Sequence, residues 1–185
     1  MKNLLKLLPL VLCVLMCQFV FGQDTTKSKQ SKFEEFSSED GVLKKIESHK
    51  IGKIKGFVMF KKTVTNVETG KFYNAVEISE KGGWLSVKFG NILIDEDEIP
   101  SLIKTLKFFE TTVLVDVCKD ECPSYFYETK SGVYIFANKL IGAYANAWHV
   151  YISKSLYSIS SAVTSIDIDN PKELDNFIKL LESYK

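Results

Sequence analysis

A chain of 185 residues with 24 basic and 23 acidic side chains, a formal charge of +1 and 45% hydrophobic residues is long and apolar enough to close one hydrophobic core. Every basic residue is lysine, which excludes arginine forks for carboxylate or phosphate. The near balance of charge excludes nucleic acid as the expected partner, because phosphate backbones need a basic surplus or stripe.

Lys2 and Lys6 precede an apolar run from Leu7 to Phe21, broken only by Pro9 and Gln18. Val20-Phe21-Gly22 then places side chains of the size a signal peptidase accepts at the positions it reads. Residues 1–22 are therefore expected to be a cleaved signal peptide, with the mature chain periplasmic or extracellular. The run is shorter than the roughly 20 residues a bilayer needs, so no transmembrane segment is expected in the mature chain. A second route is lipid anchoring through Cys17, against which Met16 is large for the residue preceding a lipidated cysteine.

Residues 23–40 are polar and read as a flexible leader, with Phe33 and Phe36 as the aromatic exceptions. Residues 41–185 are expected to be a single α+β domain. Gly41 to Lys50 reads as a short helix or an irregular lead-in. From Lys53 to Lys62, Ile54, Val58 and Phe60 alternate as a strand. Val67 to Gly70 is a turn, Phe72, Val76 and Ile78 share a face of the next strand, and Lys81-Gly82-Gly83 is a second turn. Leu85, Val87, Phe89 and Leu93 continue the alternation, so an antiparallel meander is expected. The apolar period then becomes helical through Ile99, Leu102, Ile103, Leu106 and Phe109, with Asp97 as the expected N-cap and Pro100 in the first turn.

The second half repeats this plan. Val113 to Val117, Tyr125 to Thr129, Val133 to Leu140 and Ala145 to Ile152 read as strands, and Ser165 to Asp169 closes the sheet region. Asn170-Pro171-Lys172-Glu173 opens a helix whose buried stripe is Leu174, Phe177, Ile178 and Leu181. At an offset of 72, Ile94, Asp95, Asp97, Leu102, Leu106, Lys107 and Glu110 meet Ile166, Asp167, Asp169, Leu174, Ile178, Lys179 and Glu182. A duplicated strands-then-helix unit accounts for these matches, and so does the recurrence of acidic starts and apolar stripes in any amphipathic helix. The expected fold is a mostly antiparallel twisted β-sheet with two amphipathic helices on one face, in two β-meander-plus-helix repeats if the duplication holds.

Signals for chemistry are sparse. Asp95-Glu96-Asp97-Glu98 could offer oxygen ligands to calcium, but it lacks the spacing of an EF-hand loop. Carboxylates at a helix start are also stabilised by the macrodipole, by about 0.3–1 kcal/mol each, and this reading needs no metal. With Cys13 and Cys17 in the signal segment, Cys118 and Cys122 remain and are expected to form a disulfide at a hairpin tip. The short loop they close gives a stabilisation below the roughly 3 kcal/mol of a 15-residue loop. No catalytic, phosphate-cradling or dinucleotide motif is present, and no cofactor is expected.

Aromatic side chains crowd the second half. Tyr125 and Tyr127, Tyr134 and Phe136, and His149 and Tyr151 pair along three strands, and on one exposed face they would form a binding platform. Packed as cross-strand pairs under a helix, they would be ordinary strand residues instead. The functional expectation is an exported, non-catalytic protein of the bacterial envelope or exterior that binds a protein, peptide or glycan. The alternative is a small secreted hydrolase using carboxylates or His149.

Overall fold

Apolar alternation and tight turns build two meanders, seen in a computed structural model that describes residues 29–80, 91–118, 121–142, 145–154 and 165–184. The first sheet pairs β1 (Lys44–Ile54), β2 (Phe57–Asn66), β3 (Phe72–Glu80) and β4 (Ile92–Asp95) in sequence order, all antiparallel. The second pairs β5 (Tyr125–Glu128), β6 (Tyr134–Gly142), β7 (Ala145–Ser153) and β8 (Ser165–Ile168) in the same way. Three helices among the described residues, α1 (Lys32–Ser38), α2 (Ile99–Phe108) and α3 (Pro171–Glu182), complete an α+β fold. None of them is long and apolar enough to cross a membrane.

Several sequence expectations need correction. The strands divide into two sheets rather than one, because the helical segment after β4 separates it from β5. Gly41 to Lys50 leads into β1, which was hidden because this edge strand has no buried side chain from Lys44 to Lys50 and enters the core only at Ile54. The run Lys53 to Lys62 is two strands: Lys55 and Gly56 alone span the turn between paired Ile54 and Phe57, with Lys55 at φ 47°. Val113 to Val117 is not a strand. The helix widens there into a π turn (Phe109–Val113) that buries Phe109 and Val113, and Val115 and Val117 are exposed. Leu85, Val87, Phe89 and the turn Lys81-Gly82-Gly83 lie outside the described residues, as does the signal segment.

The expected flexible leader is ordered from Ser31 to Ser38. Ser31 and Glu34 form a capping box, and Phe33 and Phe36 are buried against Val64, Ala75 and Leu93 on the outer face of the first sheet. The sequence signal was present, since a serine three residues before a glutamate and two aromatics at helical spacing mark a docked helix.

Helices α2 and α3 lie on the inner faces, where one continuous core joins Met59, Val76, Ile78 and Ile94 of the first sheet to Ile135, Val150, Ile152 and Ile166 of the second. Leu102 and Leu106 of α2 and Leu174 and Phe177 of α3 are fully buried in it. The halves repeat each other in detail: β3 and β7 both have nine residues, and β4 and β8 both have four. Contacts cross the junction in both directions. The Glu98 carboxylate at the start of α2 accepts the backbone N–H groups of Lys130 and Ser131 in the β5–β6 turn. In the other direction, Lys55 in the β1–β2 turn reaches Asp169 and Glu173 at the start of α3, each at 3.1 Å. Lys107 of α2 pairs with Glu182 of α3 at 2.7 Å, while Lys179 of α3 pairs within its own helix with Asp175 at 2.6 Å. Each half thus reaches across to the other through different residues, since at the offset of 72 Glu98 corresponds to Asn170 and Lys55 to Tyr127. The halves also approach closely, because a Cβ on Gly52 of β1 would lie 2.3 Å from a Leu180 methyl carbon of α3.

The Lys55 contact predicts a pH dependence. Hydrogen bonding to Lys55 holds the Asp169 carboxyl below its ordinary range, so the contact contributes stability above the unfolded-state value and loses it as pH falls through the folded one. Lys55→Gln should therefore be less stable than wild type near neutrality. The two should converge in acid unfolding curves once pH has fallen through the lowered folded-state value, well under the roughly 3.9 of an unpaired aspartate.

Candidate functional site

Strand pairing decides which aromatic side chains can act together. Phe126 stands opposite Phe136, Phe136 opposite Tyr151 and Tyr151 opposite Asp167, a transverse row across all four strands of the second sheet. Because side chains alternate between faces, Tyr134 and His149 point to the same side as this row. Inward residues Ile135, Ala137, Trp148, Val150 and Ile152 fill the core. Of the residues expected in a binding platform, Tyr134, Phe136, His149 and Tyr151 are brought together on the outer face. Tyr125 and Tyr127 are not, and this is a correction: both pack against the core, Tyr125 with its ring 6.1 Å from Trp148. Alternation along β5 put Tyr125 and Tyr127 on one face, but only the register with β6 shows that this face is the inner one. Sequence reading also missed Phe126 and Asp167, which the register supplies.

Among the described residues the face has two charged centres, the Lys29–Glu128 pair at 2.7 Å beside Tyr134 and the His149–Asp167 pair. His149 Nδ1 lies 2.9 Å from Asp167 Oδ1, and the imidazole stacks on Tyr151 at 5.8 Å between ring centres with 11° between planes. The His149 side chain retains 14% exposure against 41% for Asp167, so the carboxylate is the group presented to solvent. Burial, then the Asp167 charge, raises the Tyr151 phenol, which stays a neutral hydrogen-bonding group. Phe126 is 50% exposed and packs against Tyr134 at 5.7 Å between ring centres. The result is a half-open aromatic surface with an acceptor at one edge. Such a surface can take apolar and amphipathic groups by contact and orient them by hydrogen bonds.

The acidic run after β4 has protein partners at each position. Asp95 accepts the N–H groups of Lys32 (2.7 Å) and Phe33 (3.2 Å) at the start of α1, Asn74 donates to Glu96 at 2.9 Å, and Lys32 pairs with Asp97 at 2.7 Å. Burial holds the Asp95 carboxyl above its ordinary range despite these two backbone donors. Asp97 is not the N-cap of α2; Glu98 occupies that position, and its side chain is turned to the β5–β6 turn instead of its own helix. These carboxylates act on other elements rather than through the α2 dipole. Among the described residues no group of histidine, cysteine and acidic side chains has metal-site geometry.

Cys118 and Cys122 are within bonding distance, with Cα atoms 5.5 Å apart. They sit between the π turn and β5, not at a hairpin tip. Lys139 donates to the Cys118 carbonyl at 2.7 Å and the Trp148 indole donates to the Asp116 carbonyl at 3.1 Å, which fastens this connection to β6 and β7. No protein-family model matches the chain, and no curated protein matches it significantly.

Proposed function

We propose that the chain is an exported, non-catalytic binding protein that takes an amphipathic peptide segment of a partner protein on the outer face of its second sheet. The observation that carries this reading is internal to the molecule. On the first sheet the outer face is already occupied by such a segment: α1 buries Phe33 and Phe36 there and sets its N-terminal N–H groups on Asp95. Asp167 is the matching carboxylate of the second half, on the same outer side and beside Tyr151, with Phe136 next in the row. The exposed Phe126 ring and the hydrogen-bonding Asp167 edge are the apolar and polar halves of the same recognition. Export is supported by the charged, apolar and small-residue pattern of residues 1–22 and by the bonded cysteine pair.

Peptides selected from a displayed library on the wild-type mature chain should lose at least about tenfold in affinity against Phe126→Ser, since exposed aromatic anchors dominate such surfaces. Unchanged affinity sinks the reading, as would a mature N-terminus other than Gln23 in a chain that stays inside the cell. The hydrolase alternative is favoured by one observation, the His149–Asp167 hydrogen bond. Ester or amide hydrolysis by the wild type that disappears in His149→Ala would establish it.

A further inference from the structure

β1 pairs with β2 along one side, and among the described residues no strand pairs with the other. The backbone N–H and C=O groups that point outward along such an edge are a template for one more strand. From Lys44 to Lys50 no side chain is buried, and Ile46 is 56% exposed.

A bulge gives this edge its chemistry. The pairing slips by one residue between Lys50 and Gly52, so Lys50 stands opposite Phe60 and Lys53 opposite Val58. Phe60 and Val58 are two apart on β2 and share a face. On a regular strand Lys50 and Lys53, three apart, would point to opposite faces; the inserted residue sets both ammonium groups on the outer one. Ile46 and Ser48, opposite Val64 and Lys62, lie on that same face.

The other two lysines of the strand are engaged. Lys45 pairs with Glu47 at 2.9 Å, and Lys44 donates to the Ser37 carbonyl at 3.3 Å. Lys50 and Lys53 are exposed and have no ion pair or side-chain hydrogen bond among the described residues. Lysines and a bulge keep an edge from pairing with copies of itself. Here a second β1 would bring together two strands that each carry four lysines against Glu47 alone. The same charges favour a strand of opposite sign.

We propose that the free edge of β1 takes an extended acidic segment of a partner protein as a fifth, antiparallel strand. Acidic side chains two apart lie beside Lys53 and Lys50, and a β-branched residue lies beside Ile46. Backbone pairing supplies the affinity and the two lysines supply the selection. The edge belongs to the first sheet, so this site is independent of the second-sheet aromatic face and can fail or stand without it.

The probe is the peptide Ac-Glu-Thr-Glu-Thr-Thr-Thr-Val-NH2, titrated in low salt into the ¹⁵N-labelled mature chain, where it should shift amides of residues 44–54. The same peptide with lysine for both glutamates should bind at least about tenfold more weakly. The double variant Lys50→Glu, Lys53→Glu should reverse that preference. Of two versions N-methylated at alternate amides, the one blocked on its pairing side should lose at least about tenfold in affinity, and the other should keep it. The proposal is overturned if millimolar peptide shifts none of these amides, if the glutamate and lysine peptides bind alike, or if both methylated versions bind as the parent does.

Discussion

Glu98→Ala should lower the stability by about 2–4 kcal/mol, because a hydrogen bond to a charged group contributes about 1.5–3 kcal/mol and its loss strands buried donors. The Glu98 side chain is one of the few buried charged groups, and its oxygens take the N–H groups of Lys130 and Ser131 in a turn whose own side chains are closed on each other. Alanine leaves those donors facing the core with no acceptor in reach. Thermal unfolding should move down by roughly 5–15 °C at this chain length. Glu98→Gln retains one acceptor oxygen and should show about half the effect. A Glu98→Ala midpoint within about 2 °C of wild type would mean that the clamp between the halves contributes nothing.

The second large effect is expected at Phe177, fully buried on α3 in the core that both sheets share. Phe177→Ala should cost about 3–5 kcal/mol through lost burial and the cavity left behind, a large part of a typical 5–15 kcal/mol total. Where the loss appears is the more informative readout. Because the core is continuous and contacts cross the junction in both directions, amide exchange in β2 and β6 should accelerate together by the same factor. Acceleration confined to β6 would show that the halves fold as separate units.

Much of the chain was legible before any tertiary contact was known. The helix start at Asn170 is as the residue pattern implies, with Asn170 capping the Glu173 N–H at 2.9 Å and Pro171 at the first helical position. The inward stripes of α2 and α3 and the turns at Gly70 and Gly132, with φ 71° and 79°, follow from local chemistry alone. What misled was local as well. The first part of β1 was missed because Lys44 to Lys50, at the sheet edge, have no buried side chain and so no period to read. Val113 to Val117 resembled a strand because a run of β-branched residues reads the same whether it pairs or closes a helix in a wide turn.

The candidate site divides in the same way. Composition already marked the second half as aromatic, and alternation correctly grouped His149 with Tyr151 and Tyr134 with Phe136. Asp167 could not be assigned to His149 from the sequence, because the two are brought together by the β7–β8 pairing, a relation between distant segments.

The sequence by itself determined the α+β class, the second helix with its cap, and the aromatic richness of the second half, since propensity, period and capping act over a few residues. Only the tertiary structure decided that there are two sheets, that Tyr125 and Tyr127 face inward while Phe126 faces out, and that Asp95 and Glu98 serve other elements. It also buried the Tyr184 hydroxyl without a partner among the described residues. The physical reason is range: a one-residue change of strand register inverts every face, and the partner of a buried polar group is chosen by packing between elements far apart in the chain.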